Sequence, residues 1–190
     1  MRAQSLGIPS RVWSREVIVS HRATAVIGVA ATVICLGLAA EARVYLPFSP
    51  VPITLQTFFV LVAGAALGPR LGTVALSSYL VLGTLGLPIF TGAWLGPTTG
   101  YLAGFVVAGW LVGSLTRRVP QASALRVVLA MVAGSLVILA CGAAWLAFGL
   151  GVEKAVAVGV VPFLIGDALK LAAAATFCRS CRGRLRALFP

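Results

Sequence analysis

The sequence predicts an all-α, polytopic membrane protein with six transmembrane helices and both termini in the cytoplasm. Of its 190 residues, 60% are hydrophobic and only 10% are charged, whereas roughly a quarter of a soluble domain is charged. At about 20 residues per crossing, the length allows about six crossings and leaves no room for a soluble catalytic domain. The basic residues are concentrated at alternate ends of the predicted helices, which is typical of membrane proteins.

The first predicted helix is the uncharged run 23–40, and the polar, basic residues 1–22 before it are predicted to form a cytoplasmic N-terminal segment. A secretory signal peptide is the alternative, because Ala40-Glu41-Ala42 resembles a cleavage site. Signal peptides usually contain only about 7–15 apolar residues after a shorter leader. We therefore interpret 23–40 as a transmembrane helix.

Proline and glycine mark the boundaries of the other helices. Three prolines within 47–52 favour an extended path after the first helix, and Gly68-Pro69-Arg70 indicates a tight turn between two short helices. Arg117-Arg118-Val119-Pro120 ends the fourth helix, and Pro162 is a favourable first residue for the sixth. The predicted helices are 52–67, 71–87, 99–115, 127–150 and 162–178. Residues 23–178 form the predicted substrate-binding domain and 179–190 a basic cytoplasmic tail.

The distribution of Lys and Arg predicts the orientation. Twelve of the 15 basic residues lie at the N-terminus, in the turn at 68–70, between the fourth and fifth helices and in the C-terminal tail. The remaining loops hold only Arg43 and Lys154, and Lys170 lies inside the sixth helix. The positive-inside rule then predicts cytoplasmic termini. The same rule accounts for the net charge of +11, so we expect a lipid bilayer rather than nucleic acid as the partner of these charges.

The sequence is poorly supplied with groups for catalysis. It contains no GxxxxGK[ST] phosphate-binding motif and no asparagine, and its one histidine, His21, lies at the edge of the first helix. Metal and haem sites need several ligands around one cavity, and the isolated pair Cys178 and Cys181 is at best half a zinc site. We therefore predict a binding protein rather than an enzyme, with no catalytic residue, no metal and no cofactor.

Two ionisable residues, Asp167 and Lys170, lie inside the sixth predicted helix. Their spacing places them on one face, and a charge buried in lipid costs several kcal/mol unless it is paired or meets a polar ligand. One interpretation is an internal ion pair that fixes this helix to the bundle. The other is a ligand site in which Asp167 accepts hydrogen bonds from N–H groups and Lys170 supplies positive charge, about 8 Å below the outer end of the helix.

The outer loops add candidate pocket residues. Aromatic side chains often line small-molecule pockets, although each could instead anchor the chain at the membrane interface. Gln56, beside Thr54, is placed to exchange hydrogen bonds with a ligand, or is simply a polar residue at the start of a helix. The aromatic candidates are Tyr45 and Phe48 in the first outer loop and Phe90 and Trp94 in the second.

Four motifs in the same order resemble the BioY family, the biotin-capturing substrate (S) components of energy-coupling-factor (ECF) transporters. The resemblance covers most of 23–178, with the basic ends outside it. The motifs are LPFSPVPITLQT at 46–57, LGPRLG at 67–72, GLPIF at 86–90 with GPTTGYLAGF at 96–105, and PFLIGDALK at 162–170. The loop between Phe90 and Gly96 is shorter than in many members, which weakens any transfer of ligand contacts to Trp94.

The resemblance implies the six-helix S-component bundle, in a bacterial inner membrane, with biotin bound from outside beneath the loops after the first and third helices. It implies that Asp167 and Lys170 contact the polar groups of biotin, and it adds Tyr101 to the candidate binding residues. Family members work with a transmembrane coupling protein and two cytoplasmic ATPases. Because the first helix presents small residues to the coupling protein in that family, Ala31, Cys35 and Ala39 are candidate interface residues.

The expected function is therefore high-affinity capture of biotin for an ATP-driven uptake transporter. Three alternatives remain. The same scaffold could capture another small vitamin, or the chain could be a membrane enzyme or assembly factor that uses Asp167 to handle protons. In a third interpretation the bundle binds nothing, and Asp167 and Lys170 form only an internal clamp.

Overall fold

The computed structural model describes residues 10–90, 95–117 and 124–188, and it confirms the all-α fold class. Apart from one pair of two-residue strands, the regular elements are helices. In chain order they are α1 (Ser10–Glu41), β1 (Arg43–Val44), β2 (Ile53–Thr54), α2 (Gln56–Thr84), α3 (Thr99–Arg117), α4 (Ala124–Leu150), α5 (Val152–Gly159) and α6 (Phe163–Leu188).

Helix α2 is a helical hairpin rather than one continuous rod. Gly68 has φ 75° and ψ −177° and is followed by Pro69, so the helix breaks at a conformation that favours glycine. The Nε2 atom of Gln56 lies 2.7 Å from the hydroxyl of Tyr79, although 23 residues separate them. In a straight helix that separation would be about 35 Å. The two arms, 56–67 and 69–84, therefore run antiparallel, as the Gly-Pro-Arg motif predicts.

The last crossing is a broken helix, whereas the sequence predicts a single helix that begins at 162. The stretch after Gly151 was expected to be a loop leading to Pro162, but it forms α5, and α5 and α6 meet at a bend of 49°. Because α5 adds about 12 Å of helix before the break, Asp167 lies farther from the outer end of this crossing than the predicted 8 Å. Short apolar runs do not distinguish a helix from a buried extended segment.

Several helix ends differ from their predicted positions. Helix α1 begins at Ser10 rather than 23, and α6 continues to Leu188 rather than ending at 178. The apolar run determines which part of a helix can lie within a bilayer. The helix itself can continue beyond that run through polar residues. At the other end of the first outer loop, β2 replaces the predicted first turn of the second helix and pairs with β1, Arg43 opposite Thr54.

The connections lie at two opposite ends of the bundle. Within the part of the chain that the structure describes, four helices are apolar and long enough to span a membrane, and the bent α5–α6 pair adds a fifth candidate. Because α2 folds back on itself, the chain makes six passes. The end that carries the first two outer loops also carries the α4–α5 turn, because Trp145 Nε1 donates to the carbonyl of Gly96 over 3.1 Å and Ser49 Oγ donates to that of Val158 over 2.7 Å.

Close helix contacts form the centre of the bundle, where the first arm of α2 packs against α3. A Cβ atom at Gly64 would lie 2.7 Å from the carbonyl oxygen of Gly109, so the two backbones touch directly. In lipid, where burial of apolar surface no longer drives association, such small-residue contacts allow helices to pack closely. The contact also fixes Gln56 and Thr57, at the start of the same arm, relative to α3.

We predict that Gly64→Ala destabilises the bundle, because the added methyl group must push a backbone carbonyl aside, at a cost of about 1–3 kcal/mol. Thermal unfolding of the detergent-purified protein should show a lower Tm. Gly149→Ala is the matched control, since a Cβ atom there meets nothing within 4 Å. Equal unfolding temperatures for the two variants would show that the α2–α3 contact is not tight.

Candidate substrate-binding site

Asp167 and Lys170 form a buried ion pair on α6. Lys170 Nζ donates to Asp167 Oδ1 over 2.9 Å, and the two side chains are 10% and 7% exposed, respectively. The second carboxylate oxygen lies 3.4 Å from Ser135 Oγ, which approaches from α4. The serine hydroxyl donates here, since a carboxylate oxygen only accepts. The Ser135 hydrogen bond therefore connects α6 to α4, and the two contacts together hold the carboxylate in one orientation.

A cavity of about 40 Å³ lies beside this pair. Asp167, Lys170, Gln56 and Tyr101 all line it, so four of the predicted site residues are brought together from three different helices. Its remaining wall is mostly apolar. The other lining residues are Val51, Pro52, Thr54, Thr57, Thr98, Leu102, Phe105, Ile138, Leu139 and Phe163. A cavity with apolar walls and a few converging polar groups is the usual form of a small-molecule site.

The break between α5 and α6 contributes to the same region. A broken helix leaves carbonyl groups without their usual partners, and within a membrane these must be satisfied by other protein groups. Tyr101 donates its hydroxyl hydrogen to the carbonyl of Gly159 over 2.6 Å, and Ser49 donates to that of Val158 over 2.7 Å. Helix α3 and the first outer loop are thereby fixed to the α5–α6 junction, next to the cavity.

Gln56 is buried, at 2% exposure, and both the oxygen and the nitrogen of its side-chain amide form hydrogen bonds. Thr54 Oγ1 donates to Gln56 Oε1 over 3.1 Å, while Gln56 Nε2 donates to the Tyr79 hydroxyl. Tyr79 in turn donates to the carbonyl of Ile89 over 2.6 Å. Gln56 is therefore more than a polar helix start, because its amide belongs to a hydrogen-bonded chain between the cavity and the second outer loop.

The aromatic residues expected from the loops lie elsewhere in this structure. Tyr45 and Phe48 are 67% and 61% exposed and do not line the cavity. The ring of Phe90 packs against Tyr79, with centroids 5.3 Å apart, and covers Gly83, where a Cβ atom would overlap it. Trp94 lies outside the described residues. Ligand contact by Tyr45, Phe48 and Phe90 therefore remains a prediction, and the aromatic walls present here are Tyr101, Phe105 and Phe163.

Ser135, the hydrogen-bond partner of Asp167, is not among the site residues predicted from the sequence. A signal was present, because Ser135 is a polar residue within the apolar run of α4, and polar residues in such runs usually face the bundle interior. Phe105 and Phe163, which lie inside two of the quoted motifs, are also absent from the predicted site residues. Nothing in their spacing distinguishes a residue that lines a cavity from one that packs in the core.

The small residues proposed for α1 do not share one accessible face. Ala31 is exposed and Cys35 is half-buried, but Ala39 is only 3% exposed and belongs to the core. Residues four apart drift around a helix by about 40° per step, which carries Ala39 towards α2. Only the part of the predicted surface around Ala31 and Cys35 is open in this structure.

Fold and cavity together define a class: a multi-pass α-helical membrane protein with a small binding cavity near one end. A solved structure has the same fold. It is described as the S-component for biotin from an ECF-type ABC transporter, and the superposition has a TM-score of 0.75 at 24% identity, covering 96% of this chain and 100% of that one.

The chain belongs to the BioY family, whose model matches residues 11–187 and so extends into both basic ends. One relative is the probable biotin transporter BioY of Pyrococcus horikoshii, 38% identical over 148 residues, which are 75% of this chain and 87% of the relative. Another is the biotin transporter BioY of Thermotoga maritima, 38% identical over 141 residues, 70% and 82% of the two chains. The predicted family is thus confirmed.

We predict that Lys170→Met destabilises the fold, because it leaves the Asp167 carboxylate buried without its cation, a loss of about 3–5 kcal/mol. In the double variant Asp167→Leu/Lys170→Met, most of the stability should return, since both charges are gone and the volume is retained. Thermal unfolding in detergent measures both effects. A double variant as unstable as the single one would mean that the two residues do not act as a pair.

Proposed function

We propose that this protein is the biotin-binding subunit of a vitamin uptake transporter, which captures biotin at the outer face of the membrane. The observation that carries the proposal is the ion pair beside the cavity. A carboxylate and an ammonium group line one small apolar chamber, in a chain whose family relatives are named biotin transporters.

The chemistry of the cavity matches the chemistry of biotin. Biotin carries two ureido N–H donors, one ureido carbonyl, an apolar fused ring system and a carboxylate. Asp167 is the acceptor suited to the N–H groups, and a charge-assisted hydrogen bond of this type is roughly twice as strong as a neutral one. Lys170 can serve the carbonyl or the carboxylate. Tyr101, Phe105 and Phe163 provide the apolar surface against which the rings would pack.

Entry of biotin requires the outer end of the bundle to open. The cavity of about 40 Å³ is much smaller than sites for small organic ligands, which occupy roughly 300–1,000 Å³. The first outer loop is joined to the α5–α6 junction by the Ser49–Val158 hydrogen bond. Movement of this loop would expose Asp167 and Lys170 to the outside, and the exposed aromatic residues Tyr45 and Phe48 would move with it.

ATP-driven transport would require separate subunits, because the sequence has no GxxxxGK[ST] phosphate-binding motif. We propose the arrangement of ECF transporters, with a transmembrane coupling protein and two cytoplasmic ATPases. The accessible part of α1 around Ala31 and Cys35 is the proposed contact surface. The excess of basic residues at the end opposite the cavity supports a cytoplasmic location for that end, where the ATPases would lie.

We predict that the detergent-purified protein binds biotin saturably in a calorimetric titration. Asp167→Asn should weaken binding at least tenfold, because the amide loses the charge that strengthens the hydrogen bonds to the ureido N–H groups, worth about 1.5–3 kcal/mol. Lys170→Met should weaken it as well, through loss of a donor.

Matched controls are Glu153→Gln and Lys154→Met, since both side chains are exposed on α5 at the same end of the bundle. They should bind biotin as the unchanged protein does. Riboflavin and thiamine are included as competitors. Displacement by either vitamin, with no binding of biotin, would identify a different substrate. Heat from turnover without saturable binding would indicate an enzyme, and normal affinity in both site variants would remove the site assignment.

We also predict that Ala31→Trp reduces co-purification with a co-expressed ECF coupling protein and its two ATPases, because the indole prevents close helix contact. Ala173→Trp, at an exposed position on α6, is the control. Biotin binding should be unchanged in both variants, since neither residue lines the cavity. Full recovery of the complex with Ala31→Trp would exclude this part of α1 as the contact surface.

A further inference from the structure

The Tyr79 side chain is completely buried, yet its hydroxyl takes part in two hydrogen bonds. It lies 2.7 Å from Gln56 Nε2 and 2.6 Å from the carbonyl oxygen of Ile89. Tyr79 does not line the cavity, whereas Gln56 does. The hydrogen bonds of Tyr79 therefore connect it to the site through Gln56.

The donor and acceptor roles in this chain of bonds are fixed by chemistry. The Ile89 carbonyl can only accept, so the Tyr79 hydroxyl must donate its single hydrogen there. The phenolic oxygen is then left as an acceptor, and only the amide nitrogen of Gln56 can donate to it. The opposite amide orientation would place two acceptors against each other. Thr54 Oγ1, which donates to Gln56 Oε1, is compatible with the observed orientation.

Water is poorly placed to replace these bonds. The ring of Phe90 packs edge-on against the Tyr79 ring and covers Gly83 on the same arm of α2. Ile89, which supplies the accepting carbonyl, packs its side chain at Gly37 of α1. A flipped Gln56 amide would therefore leave a buried group unsatisfied, which makes the observed orientation strongly preferred.

We propose that Tyr79 is a positioning residue that sets the ligand specificity of the cavity, by holding Gln56 so that its second amide N–H is presented to the ligand. The inference rests on the proposed function. The cavity then offers a carboxylate acceptor at Asp167 and a neutral N–H donor at Gln56. This combination selects a ring urea, which has N–H donors and a carbonyl acceptor, over an analogue in which the acceptor is replaced by a donor.

The test compares biotin with 2-iminobiotin at neutral pH, where its guanidine group is protonated, so that an NH₂ donor replaces the ureido oxygen while the rings and the side chain are retained. Both dissociation constants are measured by calorimetry for each variant, and the readout is their ratio. The unchanged protein should favour biotin. In Tyr79→Phe the amide is free to rotate, so the preference for biotin should fall about fivefold or more, as expected for one lost hydrogen bond. A purely structural loss would weaken both ligands equally and leave the ratio unchanged.

Thr84→Val is the matched control, because it removes a hydroxyl from the same arm of α2, where Thr84 Oγ1 donates only to the backbone of its own helix. Its ratio should equal that of the unchanged protein. Gln56→Met should lose the preference for biotin, and adding Tyr79→Phe to it should cause no further change in the ratio. This double-variant cycle separates action through Gln56 from an independent effect.

The outcomes are distinct. If the unchanged protein binds no biotin, the proposed function fails and the inference fails with it. If biotin binds but Tyr79→Phe or Gln56→Met retains the full preference, only the role of Tyr79 is overturned. Should Tyr79→Phe not fold, the ratio measured for Gln56→Met tests the proposal instead. A retained preference for biotin in that variant would mean that the Gln56 amide does not bind the ureido oxygen, which overturns the role of Tyr79.

Discussion

The constraint on which the rest of the structure depends is the burial of two opposite charges in a bundle that is otherwise nearly free of charge. Burial of a charge within a membrane protein is costly unless it is paired, and here Asp167 and Lys170 pair with each other while Ser135 donates to the carboxylate. The ion pair lies within α6, whereas the hydrogen bond from Ser135 requires α4 and α6 to lie in contact at this level. Both charged groups line a cavity. Burial of these two charges would be unfavourable elsewhere in the bundle, so the position of the site depends on how the helices pack.

Polar backbone groups impose the second constraint. The break between α5 and α6 exposes carbonyl groups at Val158 and Gly159, and hydroxyl groups from the first outer loop and from α3 satisfy them. On the other side of the cavity, Tyr79 connects α2 to the second outer loop in the same way. Hydrogen bonds therefore link the irregular backbone near the cavity to the outer loops, which also contribute Val51, Pro52 and Thr98 to its lining.

Much of this arrangement could be predicted from the sequence because it follows from local rules. Gly68-Pro69 predicts a reversal that the structure confirms, and the hydropathy of α3 and α4 predicts their positions to within three residues. The ion pair could be predicted because charge is rare in such helices. By contrast, α5 resembled a loop, and the exposed positions of Tyr45 and Phe48 depend on how the outer loop packs, which no local pattern encodes. Ser135 is marked in the sequence as a polar residue within an apolar run, but its partner, like the partners of Tyr79, is a tertiary contact that only the three-dimensional structure shows.

The small volume of the cavity has a consequence for the kinetics of capture. If the open form is a minor population, the observed association rate is set by how often the loops part rather than by diffusion, and it levels off at high ligand concentration. The apparent affinity is lowered by the fraction of time spent open. Once the loops close again, the same scarcity of openings delays escape, so a bound molecule is retained for long periods even when its supply outside is intermittent.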